Sequence, residues 1–455
     1  MEHRFLSKWK EVLFIVVCIF FISVGSAMGA GFALVEQSVG GLGNAFAGGA
    51  ASAEDATTVF YNPAGMTRLS DLQLVVGTHI IIPSVKFHNE DSTHVLQGST
   101  GQALSGGNGG DGGVTKLVPN LYYTKKLGDR LVMGIGINVP FGLATKYDDD
   151  WVGRYHAVES DVLTININPS MAYKINDQLS VGAGFSAQYI KAKLSQAIDF
   201  GTIAFIQLGA STATQLGLAP QSSDGFASLE GDSWGYGFNL GILYEFTKNT
   251  RIGAAYRSRI KQSLEGDIDY KNVPSVFSSA FQDKNVKADI TLPDSLSISF
   301  FHQFNPQWRL MADFTWTNWS VFKELKVVDN GGNEISKTIY DWQDSYRYSL
   351  GVTYLPNNNL LLRAGTAYDT SAVPNAQRRT PRIPDEDRVW LALGAGYKVS
   401  KRASLDIGYA HLFIKDPKIY RDLATANDKD KMLGGLKGTY DAQTNILSAQ
   451  LTVTF

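Results

Sequence analysis

The amino-acid sequence predicts an all-β membrane protein, an antiparallel barrel whose strands cross the bilayer, and three observations predict it. Apolar and polar side chains alternate with a period of two in many short segments. Short and long connections take turns between those segments, as turns and outer loops do in outer-membrane barrels. The chain also opens with an export signal. Of its 455 residues 44% are hydrophobic and 18% charged, and the mean hydropathy is −0.09. The longest uninterrupted apolar run, Val12 to Ile22, falls well short of the about 20 residues a membrane helix needs, so helical spans are excluded. The 41 basic and 43 acidic residues are interspersed, with no basic block to follow a phosphate backbone, and nucleic acid is not an expected partner.

Residues 1–29 read as a signal peptide: Arg4, Lys8 and Lys10 precede the apolar run, and Ala27 and Gly29 supply small residues for cleavage after Gly29. Cys18 goes with it, which leaves no disulfide, no thiol nucleophile and no Cys-ligated metal. Residues 30–70 are Gly- and Ala-rich and do not alternate. Ser52 followed by Asp55 has capping-box spacing, so short helices are expected, folded as a plug inside the lumen. Tyr61-Asn62-Pro63-Ala64 marks the turn out of the plug.

Residues 71–455 carry the barrel. Leu163, Ile165 and Ile167 oppose Thr164, Asn166 and Asn168; Phe238, Leu240 and Ile242 oppose Gly237, Asn239 and Gly241; and Leu447 to Phe455 alternates to the end. In lipid every backbone N–H and C=O must be paired, which a closed barrel with an apolar exterior achieves. The same alternation in a water-soluble sandwich would turn its apolar face inward. The third strand, Leu131 to Val139, runs into Pro140-Phe141-Gly142, where proline supplies no ladder donor and glycine marks a bulge. Long outer loops are expected near 197–232 and 262–293. In the second, Val273, Val276, Phe277, Ala280 and Phe281 share one face of a short helix, suited to packing the loops together or to catching an apolar ligand. The Gly101 to Gly113 stretch reads as a flexible outer loop. No catalytic string surrounds any histidine, and His88, Asp91 and His94 make no fixed metal-ligand set, so neither an enzyme nor a cofactor is expected.

Several strings together resemble the FadL family of outer-membrane transporters: Ala30-Gly31-Phe32, Ser38 to Gly48, Asn62-Pro63-Ala64, Phe141-Gly142-Leu143, Trp319-Ser320 to Leu325-Lys326, Asp344 to Gly351 and Ile383 to Trp390. The resemblance spans the mature chain. It implies a fourteen-stranded barrel, plugged by an N-terminal hatch, that passively moves hydrophobic molecules. Long-chain fatty acids come first among these. Aromatic or aliphatic hydrocarbons, the cargo of TodX-type relatives, are the alternative, and a surface adhesin or phage receptor is a second. The resemblance also assigns roles. Phe277 and Phe281 would capture ligand, Phe32 and Phe141 would meet it inside, and Lys326 would face a carboxylate. Asn62, Pro63, Ala64, Pro140 and Gly142 would gate a lateral exit into outer-membrane lipid. A second basic residue expected soon after Lys193 is replaced by Ser195 or Gln196, which leaves room for uncharged cargo. The terminal Phe455 resembles the signal read by the barrel assembly machinery, and a closed wall without free edges suits a monomer.

Overall fold

The computed structural model describes residues 31–70, 72–422 and 430–455, and the predicted signal peptide lies outside them. The alternating segments form fourteen antiparallel strands, each paired to the next in sequence. The first strand, Leu72–Asn89, closes on the last, Leu436–Thr454, in a register that runs from Gln73↔Thr454 to Asn89↔Gly438. Closure of the first strand on the last satisfies the demand of the bilayer on backbone polar groups around the wall, apart from a local gap beside the third strand. Among the described residues no helix is long and apolar enough to cross a membrane.

The face polarity rules out the sandwich alternative. Phe185, Tyr236, Phe238, Leu240, Ile242, Leu350, Leu393 and Ile407 are exposed on the outside, whereas Asn120, Asn166, Asn168, Gln188, Asn239, Arg347 and Arg363 are buried within. A soluble protein would invert this. Aromatic residues gather beside the short turns, with Trp308 stacked on Tyr354 at 4.5 Å and Tyr244 against Phe246 at 4.9 Å, as an interfacial girdle requires.

Two expectations about loops change. The fifth strand, Leu179–Asp199, and the sixth, Asp224–Thr247, extend into the segment expected as loop 197–232, so the connection is 200–223. The eighth strand likewise begins at Lys284, and the loop before it is 272–283. Long antiparallel pairing carries these strands beyond the bilayer, where alternation is weaker because both faces meet water or other loops. The helix expected over 273–281 is only a single 3-10 turn, Ser275–Phe277, because Ser275, Ser278 and Ser279 favour local turn bonds, such as that from the Ser278 Oγ to the Ser275 carbonyl, over longer propagation.

Four interruptions in neighbouring strands lie at one level. The seventh strand breaks between Arg257 and Ile260, the eighth at Pro293-Asp294, the ninth between Thr317 and Glu324, and the tenth between Ile339 and Ser345. Asp294 ties three of these strands together, through an ion pair with Arg259 at 3.1 Å and hydrogen bonds from the Asn318 backbone N–H and Nδ2 at 2.9 and 3.0 Å. At the breaks in the ninth and tenth strands the chain leaves the wall and buries Trp319, Phe322, Tyr340 and Trp342 in the interior.

Candidate functional site

The lumen is occupied by residues 31–69. Their small residues explain both the lack of alternation and the shape: short helices Val39–Gly43, Gly49–Ser52 and Thr58–Tyr61, then a 3-10 helix Pro63–Arg68. The first is capped by Ser38, whose Oγ accepts from the Gly41 N–H at 3.1 Å. Ser52, expected at a helix start, ends its helix instead, and Asp55 accepts from the Thr57 N–H at 2.9 Å as a turn residue. Backbone comes close enough to the wall that wall glycines are required. A Cβ on Gly241 would enter Asn62, one on Gly253 the Ala50 carbonyl, and one on Gly365 the Asn44 backbone.

Polar ties fasten this segment. Asn62 is fully buried; its Nδ2 donates to the Ala50 carbonyl at 2.6 Å and to the Ile242 carbonyl of the sixth strand at 2.9 Å, and its Oδ1 accepts from the Ala64 N–H at 3.0 Å. Arg251 donates to the carbonyls of Ala51 and Ser52, both at 2.5 Å. Arg363 bridges Glu54 at 3.1 Å and Asp406 at 2.6 Å. Pro63 and Ala64 press against Gly182 of the fifth strand.

The third strand is broken where proline and glycine predicted it. Leu131–Asn138 is followed by Gly142–Lys146. Asn138 faces Asn166 and Gly142 faces Leu163 on the fourth strand, so three residues oppose two, a one-residue bulge. On the other side, pairing with the second strand stops at Leu121↔Ile137, and Lys116 to Asn120 pair only with the first strand. The ladder between the second and third strands is therefore open above Ile137. Phe32 to Leu34 bond to the broken stretch in place of the second strand: the Leu34 N–H donates to the Pro140 carbonyl at 2.8 Å and the Gly142 N–H to the Phe32 carbonyl at 2.9 Å. Gln37 adds a bond from Nε2 to the Val139 carbonyl at 2.7 Å.

Phe32 sits in an aromatic cage that sequence reasoning missed. Trp319 lies 4.7 Å from its ring, and Phe141, Phe322 and Trp342 each lie 6.0 Å away. Trp319, Phe322 and Trp342 come from the breaks in the ninth and tenth strands. The available signal was aromatic residues clustered where alternation fails. Two cavities flank the cage. One, of about 150 Å³, lies between Leu34, Phe46 and Phe60 of the N-terminal segment and Pro140, Phe141 and Arg347 of the wall. The other, of about 70 Å³, is lined by Phe32, Leu143, Ile190, Leu264, Phe322 and further apolar residues.

The expected site residues are thus only partly brought together. Phe32, Phe141, Pro140 and Gly142 converge. Asn62, Pro63 and Ala64 form a separate anchor on the fifth and sixth strands. Phe277 and Phe281 pack in the outer loops against Phe200, at 5.8 and 4.9 Å. Lys326 does not face the cavity. Its strand neighbours Leu325 and Val327 line it, and period-two alternation turns Lys326 to the opposite face, half exposed and 3.6 Å from Glu334.

Glu36, in the N-terminal segment, is buried with Oε2 unpartnered. Burial pushes its carboxyl up from 4.5 to about 7, against the pull of its own backbone N–H and of Arg347 and Arg388, with Asp369 adding to the rise.

A family model described as outer membrane protein transport protein (OMPP1/FadL/TodX) matches residues 20–455. The long-chain fatty acid transport protein of Escherichia coli strain K12 is 34% identical over 413 residues, covering 86% of this chain and 90% of that protein. Outer membrane protein P1 of Haemophilus influenzae is 31% identical over 457 residues, covering 95% and 97%. Among solved structures, a Pseudomonas aeruginosa FadL homologue matches with a TM-score of 0.83 at 26% identity, covering 93% of this chain and 99% of that one. A monoaromatic hydrocarbon channel, CymD, matches with a TM-score of 0.63 at 23% identity over 94% and 99%, a likeness of fold.

Proposed function

Because this chain belongs to the OMPP1/FadL/TodX family of outer-membrane transport proteins and not to a family of enzymes, we propose that its cargo is long-chain fatty acid. It is captured at the outer loops around Phe277 and Phe281, passed to the cavity beside Phe32, and released sideways at Pro140 to Gly142. Residues 30–70 act as the hatch. The observation that carries this reading is the pairing of Phe32 to Leu34 with the broken third strand. The segment that occupies the ligand cavity also covers the gap in the ladder, so ligand competing for Phe32's place would uncover the gap. Ile80 and Ile82, on the first strand beside the gap, face outward and are exposed, which suits delivery into lipid. No energy source is required, since removal of product downstream gives direction. The relatives named as fatty acid transporters support the acid over hydrocarbons as cargo. Uptake of labelled oleate and of toluene by cells lacking their own fatty-acid transporter tests it: this chain should restore saturable oleate uptake. Restoration of toluene uptake alone would transfer the protein to the hydrocarbon alternative, and restoration of neither would favour a surface receptor.

Glu36 makes seating of the N-terminal segment depend on pH. Well below 4.5 the carboxyl is neutral whether the segment is seated or released. Between 4.5 and about 7 the released form ionises while the seated form stays neutral, so release becomes easier as pH rises, and above about 7 the effect levels off. Hydrogen exchange of residues 32–37, corrected for intrinsic rates, should show less protection at pH 8 than at pH 5. Glu36→Gln should flatten the difference; an unchanged slope would remove Glu36 from the gate.

A further inference from the structure

The apolar cavity beside Phe32 adjoins a second, polar cavity of about 190 Å³ on the side of the outer loops, and Leu325, Val327, Tyr340 and Arg382 line both. His156, Lys337 and Arg421 also line the polar cavity. Arg382 therefore stands at the junction of a polar vestibule and an apolar hole.

Its guanidinium is buried, with 9% of the residue exposed, and every bond it makes is to a neutral acceptor. Nη1 donates to the Glu159 carbonyl at 3.2 Å, the Ser160 Oγ at 3.1 Å and the Ser195 carbonyl at 3.2 Å, and Nη2 donates to the Gln196 Oε1 at 3.0 Å. Among the described residues no carboxylate forms an ion pair with it. The other charges on the apolar cavity are already neutralised: Lys287 by Glu265 at 2.7 Å, and Glu230 by Lys191 at 2.5 Å. A guanidinium cannot shed its proton, so a buried one without a counter-charge is costly unless an anion arrives. The neutral acceptors hold the planar fork in place without using up its charge.

We infer that Arg382 is the head-group site for the carboxylate of a single-chain amphiphile whose tail enters the cavity beside Phe32 and competes for the place of the Phe32 ring. This rests on the fatty-acid reading above and assigns to Arg382 the role expected of Lys326. It also gives a reason for the absence of a basic side chain at 195–196: Ser195 and Gln196 position the cation that does the work. A carboxylate on a fixed guanidinium makes charge-assisted, paired hydrogen bonds, whereas an ester or alcohol of the same chain length gains neither charge nor a second acceptor.

The test is binding of oleate, methyl oleate and oleyl alcohol to the detergent-purified full chain, wild type beside Arg382→Met and Arg382→Lys. Wild type should prefer oleate to methyl oleate by about 10- to 100-fold, the range of a charged hydrogen bond. Arg382→Met should remove that preference while oleyl alcohol binds within about 2-fold of wild type, and Arg382→Lys should keep part of it. Equal binding of oleate and its ester by wild type overturns the assignment without any variant, so it does not depend on how Arg382→Met folds. So does retention of the preference in Arg382→Met, or an equal loss for all three ligands, which would mean that Arg382 only shapes the cavity. Binding of none of the three by wild type would sink the transport reading itself.

Discussion

Deletion of Pro140 is expected to reduce oleate uptake to the level of cells without the protein while oleate binding stays near wild type. The bulge places three residues, 139–141, opposite two on the fourth strand. Removing one brings Asn138 and Gly142 into a single register, and choosing the proline also removes the residue that lacks an N–H. Alternation then keeps Leu143 pointing into the apolar cavity, so the binding surface survives. The repaired strand can continue its ladder onto Lys116 to Asn120, which now pair on one side only. Each new hydrogen bond contributes about 0.5–1.5 kcal/mol, so the variant should fold. The cost is the gap itself, together with the edge to which Phe32 to Leu34 are bonded. Titration with oleate and a cellular uptake assay on the same variant separate the two functions. Wild-type uptake through a repaired wall would mean that ligand leaves by another route, and loss of binding would mean that the kink shapes the cavity more than the exit.

The parts legible in sequence were those governed by short-range rules. A period of two is a local property, so the strands could be read from Leu163 to Asn168 or from Leu447 to Phe455 without knowing their partners. Pro140 and Gly142 marked the break because one lacks a donor and the other lacks a Cβ. The aromatic cage was not legible, because Trp319 and Trp342 belong to different strands and meet Phe32 only after the barrel has closed. The position of Lys326 was not legible for a related reason. Resemblance placed a basic residue near the ligand, whereas the one-residue pleat decides which of Leu325, Lys326 and Val327 faces inward. Arg382 lies in an irregular loop with no periodicity to expose it, and only the fold gathers neutral acceptors from Glu159, Ser160, Ser195 and Gln196 around it. Gly241 was legible only as a member of a strand's polar face and Gly253 carried no signal of its own; both are sites where the N-terminal segment touches the barrel.

Asn62→Ala should loosen the N-terminal segment more than any other single truncation within it. The side chain makes three hydrogen bonds, and its removal leaves the Ala50 carbonyl and the Ala64 N–H without partners in a site too tight for easy repair by water, whereas the Ile242 carbonyl keeps its place in the ladder opposite Ala254. At about 1–3 kcal/mol for each of the two orphaned groups, the expected loss is about 2–6 kcal/mol of local stability. That corresponds to a drop in hydrogen-exchange protection of residues 38–68 of about 30-fold or more. Because Gly241 has no side chain to fill the space, the lumen should also open to small polar solutes, which conductance across a planar bilayer would detect. Asn62→Asp distinguishes hydrogen bonding from packing. Aspartate has nearly the same shape, yet it presents an acceptor oxygen to two carbonyl oxygens where the amide donated to both. It should therefore be at least as damaging as alanine. An aspartate variant with wild-type protection and no conductance would show that Asn62 fills space, and that the segment is held by its arginine ties, Arg251 to Ala51 and Ser52 and Arg363 to Glu54, instead.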